Sequence, residues 1–166
     1  MEYSEQEARI KIGALICEPP YFTEVSDLQI KESECLTSQA GYKWISGKCY
    51  SFHATEKKYE EAVTICENKF KNGGKVVEPR TIEIKDLIHE AFGHPSVWVG
   101  IGYSQSTDSF IYKSDGTPVV IDAWVNFGAS SHTKRSTLYC GTWHGSGWYN
   151  NYRCASSTLP FICESL

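Results

Sequence analysis

Seven cysteines, Cys17, Cys35, Cys49, Cys66, Cys140, Cys154 and Cys163, constrain this 166-residue chain more than any other feature. A reducing compartment keeps thiols reduced and reactive, so oxidised pairs at this density belong to secreted or cell-surface proteins. Zinc is the competing use. No C-x2-C pair occurs, however, and the nearest Cys–His couple, Cys140 with His144, has no second couple to complete four ligands. Disulfides are therefore expected, and spacing alone does not select their connectivity. The odd count leaves one cysteine over. Cys17 stands apart in an acidic stretch, where it is either a free thiol or a bridge to a second copy in a covalent dimer.

The length suits one domain with a sizeable core. Hydrophobic residues at 41% and charged residues at 22% exclude wholesale disorder. No apolar run reaches the roughly 18 residues that a membrane span requires. The first twenty residues carry acids where a signal peptide has a basic start, and Ile12 to Cys17 is too short for its hydrophobic region. Residues 1–34 hold eight acids against three bases, a net of −5, while the remaining residues sum to +1. With no basic field to hold a phosphate backbone, nucleic acid is not an expected partner.

Along the chain, residues 1–34 read as an acidic N-terminal arm of weak periodicity, and residues 35–166 as the folded domain. Lys43 to Phe52 alternates around Gly47 and predicts a short hairpin. Tyr59, Ala62, Val63, Cys66 and Phe70 recur at helical spacing, with Asn72-Gly73-Gly74 as the stop. A second helix is expected after Pro79, capped by Thr81, with Ile84, Leu87, Ile88, Ala91 and Phe92 as its buried stripe. Ser96 to Ile101 is apolar throughout and suits a buried central strand. Ser109–Tyr112 and Pro118–Ile121 flank a turn at Ser114-Asp115-Gly116. Val125 to Ser136 forms a long polar loop, and two strands, Gly147–Tyr152 and Leu159–Cys163, close the chain. Helices first and antiparallel strands later predict an α+β fold.

Taken in order, these segments resemble the C-type lectin-like domain. The residues that carry the resemblance are Cys35 and Cys49 around the first hairpin, Tyr59 to Cys66, and Trp98-Val99-Gly100-Ile101. Cys140, Tyr149-Asn150-Asn151 (where the family has Trp-Asn-Asp), Cys154 and Phe161-Ile162-Cys163-Glu164 complete the set. The resemblance covers about residues 35–166. It implies a disulfide-stapled fold of two helices, antiparallel sheets and a long loop region. It also implies the pairs Cys35–Cys49, Cys66–Cys163 and Cys140–Cys154, which strands Cys17. Bridging Cys66 to Cys163 closes nearly the whole domain and contributes about 4–5 kcal/mol by chain entropy.

Sugar-binding members of that family coordinate calcium at the long-loop face, and a hard cation needs several oxygen ligands, usually carboxylates. At the corresponding positions this chain has Ser130-Ser131-His132, Leu138, Asn150 and Asn151, and no acid lies between Asp122 and Glu164. No metal or other cofactor is expected there. Asp108, Asp115 and Asp122 read as turn acids. What remains is aromatic and amide-rich: Trp143, His144, Trp148, Asn150, Asn151 and Tyr152 are the candidate ligand-binding residues. Strand alternation puts Trp148, Asn150 and Tyr152 on one face, with Tyr149 on the inner one. Exposed, those aromatics would suit a protein anchor or a sugar ring; buried, Trp143 and Trp148 would fill the core. His132, Lys134 and Arg135 make the loop cationic. His89 and His94 do not share a helix face and read as surface or packing residues. No nucleophile elbow, zinc-protease helix or phosphate loop is present, so no enzymatic activity is expected. The expectation is calcium-independent recognition of a protein, with a calcium-independent glycan lectin as the alternative and ice binding a distant third.

Overall fold

The computed structural model describes residues 26–38, 40–93, 96–120, 135–144 and 147–166. Cys17, His94, Asp122, His132, Lys134 and most of the polar loop lie outside them. The described residues form, in order, α1 (Asp27–Ser38), β1 (Lys43–Ile45), β2 (Lys48–Lys57), α2 (Tyr59–Glu67), β3 (Gly74–Val76), α3 (Ile82–Phe92), β4 (Val97–Ser104), β5 (Ser109–Tyr112), β6 (Tyr139–His144), β7 (Gly147–Arg153) and β8 (Leu159–Ser165). The sheet runs β1-β2-β8-β4-β6-β7, with β3 added to β8 and β5 to β4. Every pairing is antiparallel except the contact of β4 with β8 through Trp98 and Phe161.

Local chemistry accounts for most of these boundaries. Ser46 and Gly47 both take positive φ, 47° and 82°, which is the tight hairpin turn that matches strand twist. Glu61 accepts the Lys58 N–H at 3.0 Å and starts α2, whose buried residues are Tyr59, Ala62 and Cys66. This helix stops at Glu67, six residues before the first glycine expected to end it; Gly73 (φ 82°) instead turns the chain into β3. Thr81 accepts the Ile84 N–H at 3.2 Å to cap α3, and Gly93 (φ 72°) closes it.

The buried stripe of α3 differs from expectation. Leu87 is 46% exposed, while Lys85 is buried, its ammonium 2.6 Å from the Asp86 carboxylate and 5.8 Å from the Trp143 ring centre. A long lysine stem can lie along apolar surface and still lead its charge to a partner, which apolar counting overlooks. The first helix is a second departure. α1 lies across the boundary between the acidic arm and the domain and buries only Cys35. With so little apolar periodicity, it is held by its bond to Cys49 more than by packing. After β5, the chain turns back and, among the described residues, pairs as a bridge from Ile111 to Pro118, flanked by hydrogen bonds from the Val119 N–H to the Phe110 carbonyl and from the Tyr112 N–H to the Thr117 carbonyl, both at 2.9 Å.

Three disulfides staple the fold, Cys35–Cys49, Cys66–Cys163 and Cys140–Cys154. Two clusters of apolar side chains fill it. One gathers Tyr50, Val99, Ile101, Trp143, Trp148 and Ile162. The other gathers Tyr59, Ala62, Cys66, Trp98, Phe161 and Cys163 beneath α2. The Trp98 indole donates to the Lys57 carbonyl at 2.7 Å and meets Tyr59 edge-on, which locks β4 to the start of α2.

Candidate functional site

The sequence-derived candidates all fall on the β6–β7 hairpin at one edge of the sheet. Its register pairs Trp143 with Trp148 and His144 with Gly147 at the tip, and Tyr139 with Arg153 at the base. The Cys140–Cys154 bond holds that base. Gly141 is required there, because a Cβ on it would come within 2.8 Å of the Ile101 carbonyl oxygen. β6 can therefore lie close against β4.

The structure separates the six candidates. Trp143 and Trp148 are buried; Trp148 has no exposed surface, and Trp143 stacks on His89 at 5.3 Å with 21° between the rings. Of the two alternatives left open for the indoles, exposed or core-filling, Trp148 takes the second. Burial of both indoles stabilises the core, and neither offers a face to a ligand in this state. Asn150 is buried as well. Tyr152 instead is 42% exposed, its ring edge-on to Trp98 at 6.4 Å. The physical reason is a bulge. Cys140 pairs with Tyr152 but Thr142 pairs with Tyr149, so β7 spends one extra residue and its side-chain alternation breaks before Tyr152. Tyr149, expected to pack inward, is half-buried beside exposed His144, the rings 6.2 Å apart. His144 Nδ1 shares a hydrogen bond with the Ser96 hydroxyl. Asn151 is half-buried, and its carboxamide oxygen has no partner among the described residues. Leu138, at the loop's return, is 65% exposed and extends the open surface.

Among the described residues, the donors at the positions the family uses do not fit calcium. Where the family places a glutamate this chain has the apolar side chain of Leu138. The late strand supplies two neutral amides, one of them fully buried. Of the turn acids, Asp108 accepts the Tyr103 hydroxyl and lies 3.7 Å from Arg135. Asp115 accepts from the Thr117 N–H and hydroxyl and pairs with Arg80. Those hydrogen bonds hold the Asp115 carboxyl down at about 2. Among the described residues no three His, Cys, Asp or Glu side chains converge as a metal site.

Two features, one near the site and one at β3 and β8, escaped sequence reasoning. Lys113 lies with its ammonium 3.9 Å over the Tyr59 ring and 3.5 Å from Cys140 Sγ, and burial pushes its pKa down. Glu78 and Glu164, 86 residues apart in sequence, are buried and clustered with Lys75, a constellation that no local pattern reveals.

Comparison with known proteins places this geometry. Residues 55–165 match the model of the lectin C-type domain. The human protein "C-type lectin domain family 17, member A" is 25% identical over 130 residues, 78% of this chain. The matched region is 32% of that relative, so the chain spans about a third of its length. The solved SPL-1–GlcNAc complex superposes with a TM-score of 0.65 at 21% identity, covering 81% of this chain and 96% of that one. The Ca2+-independent C-type lectin SPL-2 from Saxidomus purpuratus gives a TM-score of 0.63 at 20% identity over 81% and 95%. At these identities the two structures establish the fold.

Proposed function

The chain belongs to the lectin C-type domain family, and from that premise we propose that it is a non-enzymatic recognition module binding a protein partner at the β6–β7 face without calcium. One observation carries the reading. The face where calcium ligands would converge has neutral amides and an exposed leucine, whereas Leu138, His144 and Tyr152 give it an open, partly apolar surface. An exposed tyrosine and leucine at the base of the hairpin, with a histidine exposed at its tip, give the composition of a protein-anchoring patch. Three disulfides suit a secreted or cell-surface protein. Cys17 is then left to bridge a second copy or to stay a thiol.

The alternative is a calcium-independent glycan lectin. Tyr152 favours it, as an exposed ring on the face of the hairpin also suits a sugar. SPL-2, by its title, is a lectin without calcium dependence. Staining of intact cells by the tetramerised chain separates the two readings. Protein recognition predicts staining that survives EDTA and deglycosylation, is lost after mild protease treatment, and falls in Tyr152→Ala. Loss on deglycosylation alone would install the glycan reading, and loss in EDTA would overturn both.

A further inference from the structure

At the opposite edge of the sheet from β7, α1, the β1–β2 hairpin and the turn after α2 enclose a cleft of about 330 Å3. That volume lies at the lower end of small-ligand sites. Its wall is aromatic. Tyr42 and Phe70 meet edge to face at 5.9 Å, and half-buried Trp44 flanks them. A Cβ at Gly74 would come 2.6 Å from the Phe70 ring, so glycine there lets the ring seat against β3.

The rim is cationic. Lys31, Lys69 and Lys71 line it against one acid, Glu34, in a chain whose net charge is −4. Lys69 stands over the Tyr42 ring at 5.3 Å. Lys31 and Lys71 are exposed and enter no ion pair among the described residues. Lys48, Lys75 and Lys85, by contrast, each pair with a carboxylate.

We propose that this cleft binds an anionic saccharide, with the C–H face of a sugar ring on the Tyr42–Phe70–Trp44 wall and its sulfate or carboxylate among Lys31, Lys69 and Lys71. An aromatic wall takes an apolar ring face, and ammonium groups take an anion whose orientation is not fixed. An acidic peptide fits less well. Strand addition needs a sheet edge with a run of free backbone groups, and β1 at this edge is three residues long. The site is independent of the β6–β7 face.

Surface plasmon resonance of the full chain over an immobilised heparin-derived octasaccharide tests the proposal. Binding is expected to resist EDTA, weaken with salt, and be absent for a neutral chitin-derived oligosaccharide. The double variant Lys31→Gln/Lys71→Gln, at exposed positions that leave the fold intact, should lose about tenfold in affinity, and Tyr42→Ala should lose affinity separately. Retained binding by the desulfated octasaccharide would assign the carboxylate as the anion, and its loss would assign the sulfate. The proposal is overturned by an absence of heparin binding or by unchanged affinity in the lysine pair. Loss in Lys134→Gln/Arg135→Gln instead would move the site to the long loop, and equal binding of polyglutamate would make the partner a peptide.

Discussion

Around β3 and the end of β8, two carboxylates are buried and engaged on every side; around β6 and β7 the described residues hold none. Glu164 accepts from Lys48 at 3.0 Å and from the Glu78 N–H at 3.0 Å, with Lys75 at 3.4 Å. Glu78 accepts from the Ser114 N–H and hydroxyl, from Lys75 at 2.6 Å and from Arg80 at 2.9 Å. Gly100 makes room for it, since a Cβ there would come 2.4 Å from the Glu78 side chain. The first region spends its acids on joining β3, β5 and β8 through protein cations. The second is joined by indoles and a disulfide, and what it leaves open carries no carboxylate among the described residues. Glu78 and Glu164 are the only buried acids among the described residues; the others, Asp108 and Asp115 among them, are exposed, so it is these two that act as structural charge.

The neutral region is broken most severely from inside. Trp148→Ala should lose about 3–5 kcal/mol, because a fully buried indole leaves a cavity that a disulfide-tied hairpin cannot collapse around. Tyr152→Ala, on an exposed ring, should lose less than about 1 kcal/mol. Urea unfolding of both variants checks the contrast. Equal losses would mean that Tyr152 is as structural as Trp148, and the open surface would shrink to Leu138 and His144.

The charged region should answer to Glu78→Gln with a loss of about 2 kcal/mol, measured the same way. The amide keeps the shape but cannot satisfy Ser114, Lys75 and Arg80 together, and loss of hydrogen bonds to a charged group is of this order. Lys75 and Arg80 retain some exposure, so water can take over part of their solvation and the loss stays below that of a stranded buried charge. A neutral result would show that the carboxylate network is balanced by its own desolvation.

Much of this architecture was legible in the sequence because its signals are local or covalent. The Ser46-Gly47 turn, the Thr81 cap, the apolar β4 run and the family's cysteine pairs are each carried by adjacent residues or by a recognisable pattern, and each is present. The site was less legible. Strand alternation correctly put Trp148 and Asn150 on one side, but a bulge depends on the partner strand, so Tyr152's exposure could not be read from β7 alone. The inward direction of the Trp148 face was equally hidden, since alternation groups side chains without saying which group meets the core. Lys85 and Glu78 failed for a third reason: a buried charge is explained by partners remote in sequence or by its own flexible stem.

The smallest expected effect concerns pH and belongs again to the charged region. His53 lies flat on Phe161 at 4.6 Å, with its Nε2 3.2 Å from the Ser51 hydroxyl. Burial, and secondarily the charge of Lys69, hold its pKa below the ordinary 6.5. The folded state therefore resists protonation more than the unfolded chain does. As pH falls through about 6.5 the unfolded chain takes up the proton first, and stability declines until the folded pKa is passed. Below that value both states are protonated and the decline stops. Asp115 does not obscure this window: its carboxyl, held at about 2 against an ordinary 3.8, costs stability only as pH drops below about 4. Urea midpoints measured from pH 7.5 to 5 should fall slightly in the parent chain and less steeply in His53→Gln. If the slope persisted in His53→Gln but vanished in His144→Gln, the titrating group would lie on the neutral face, and the division of charge between the two regions would have to be redrawn.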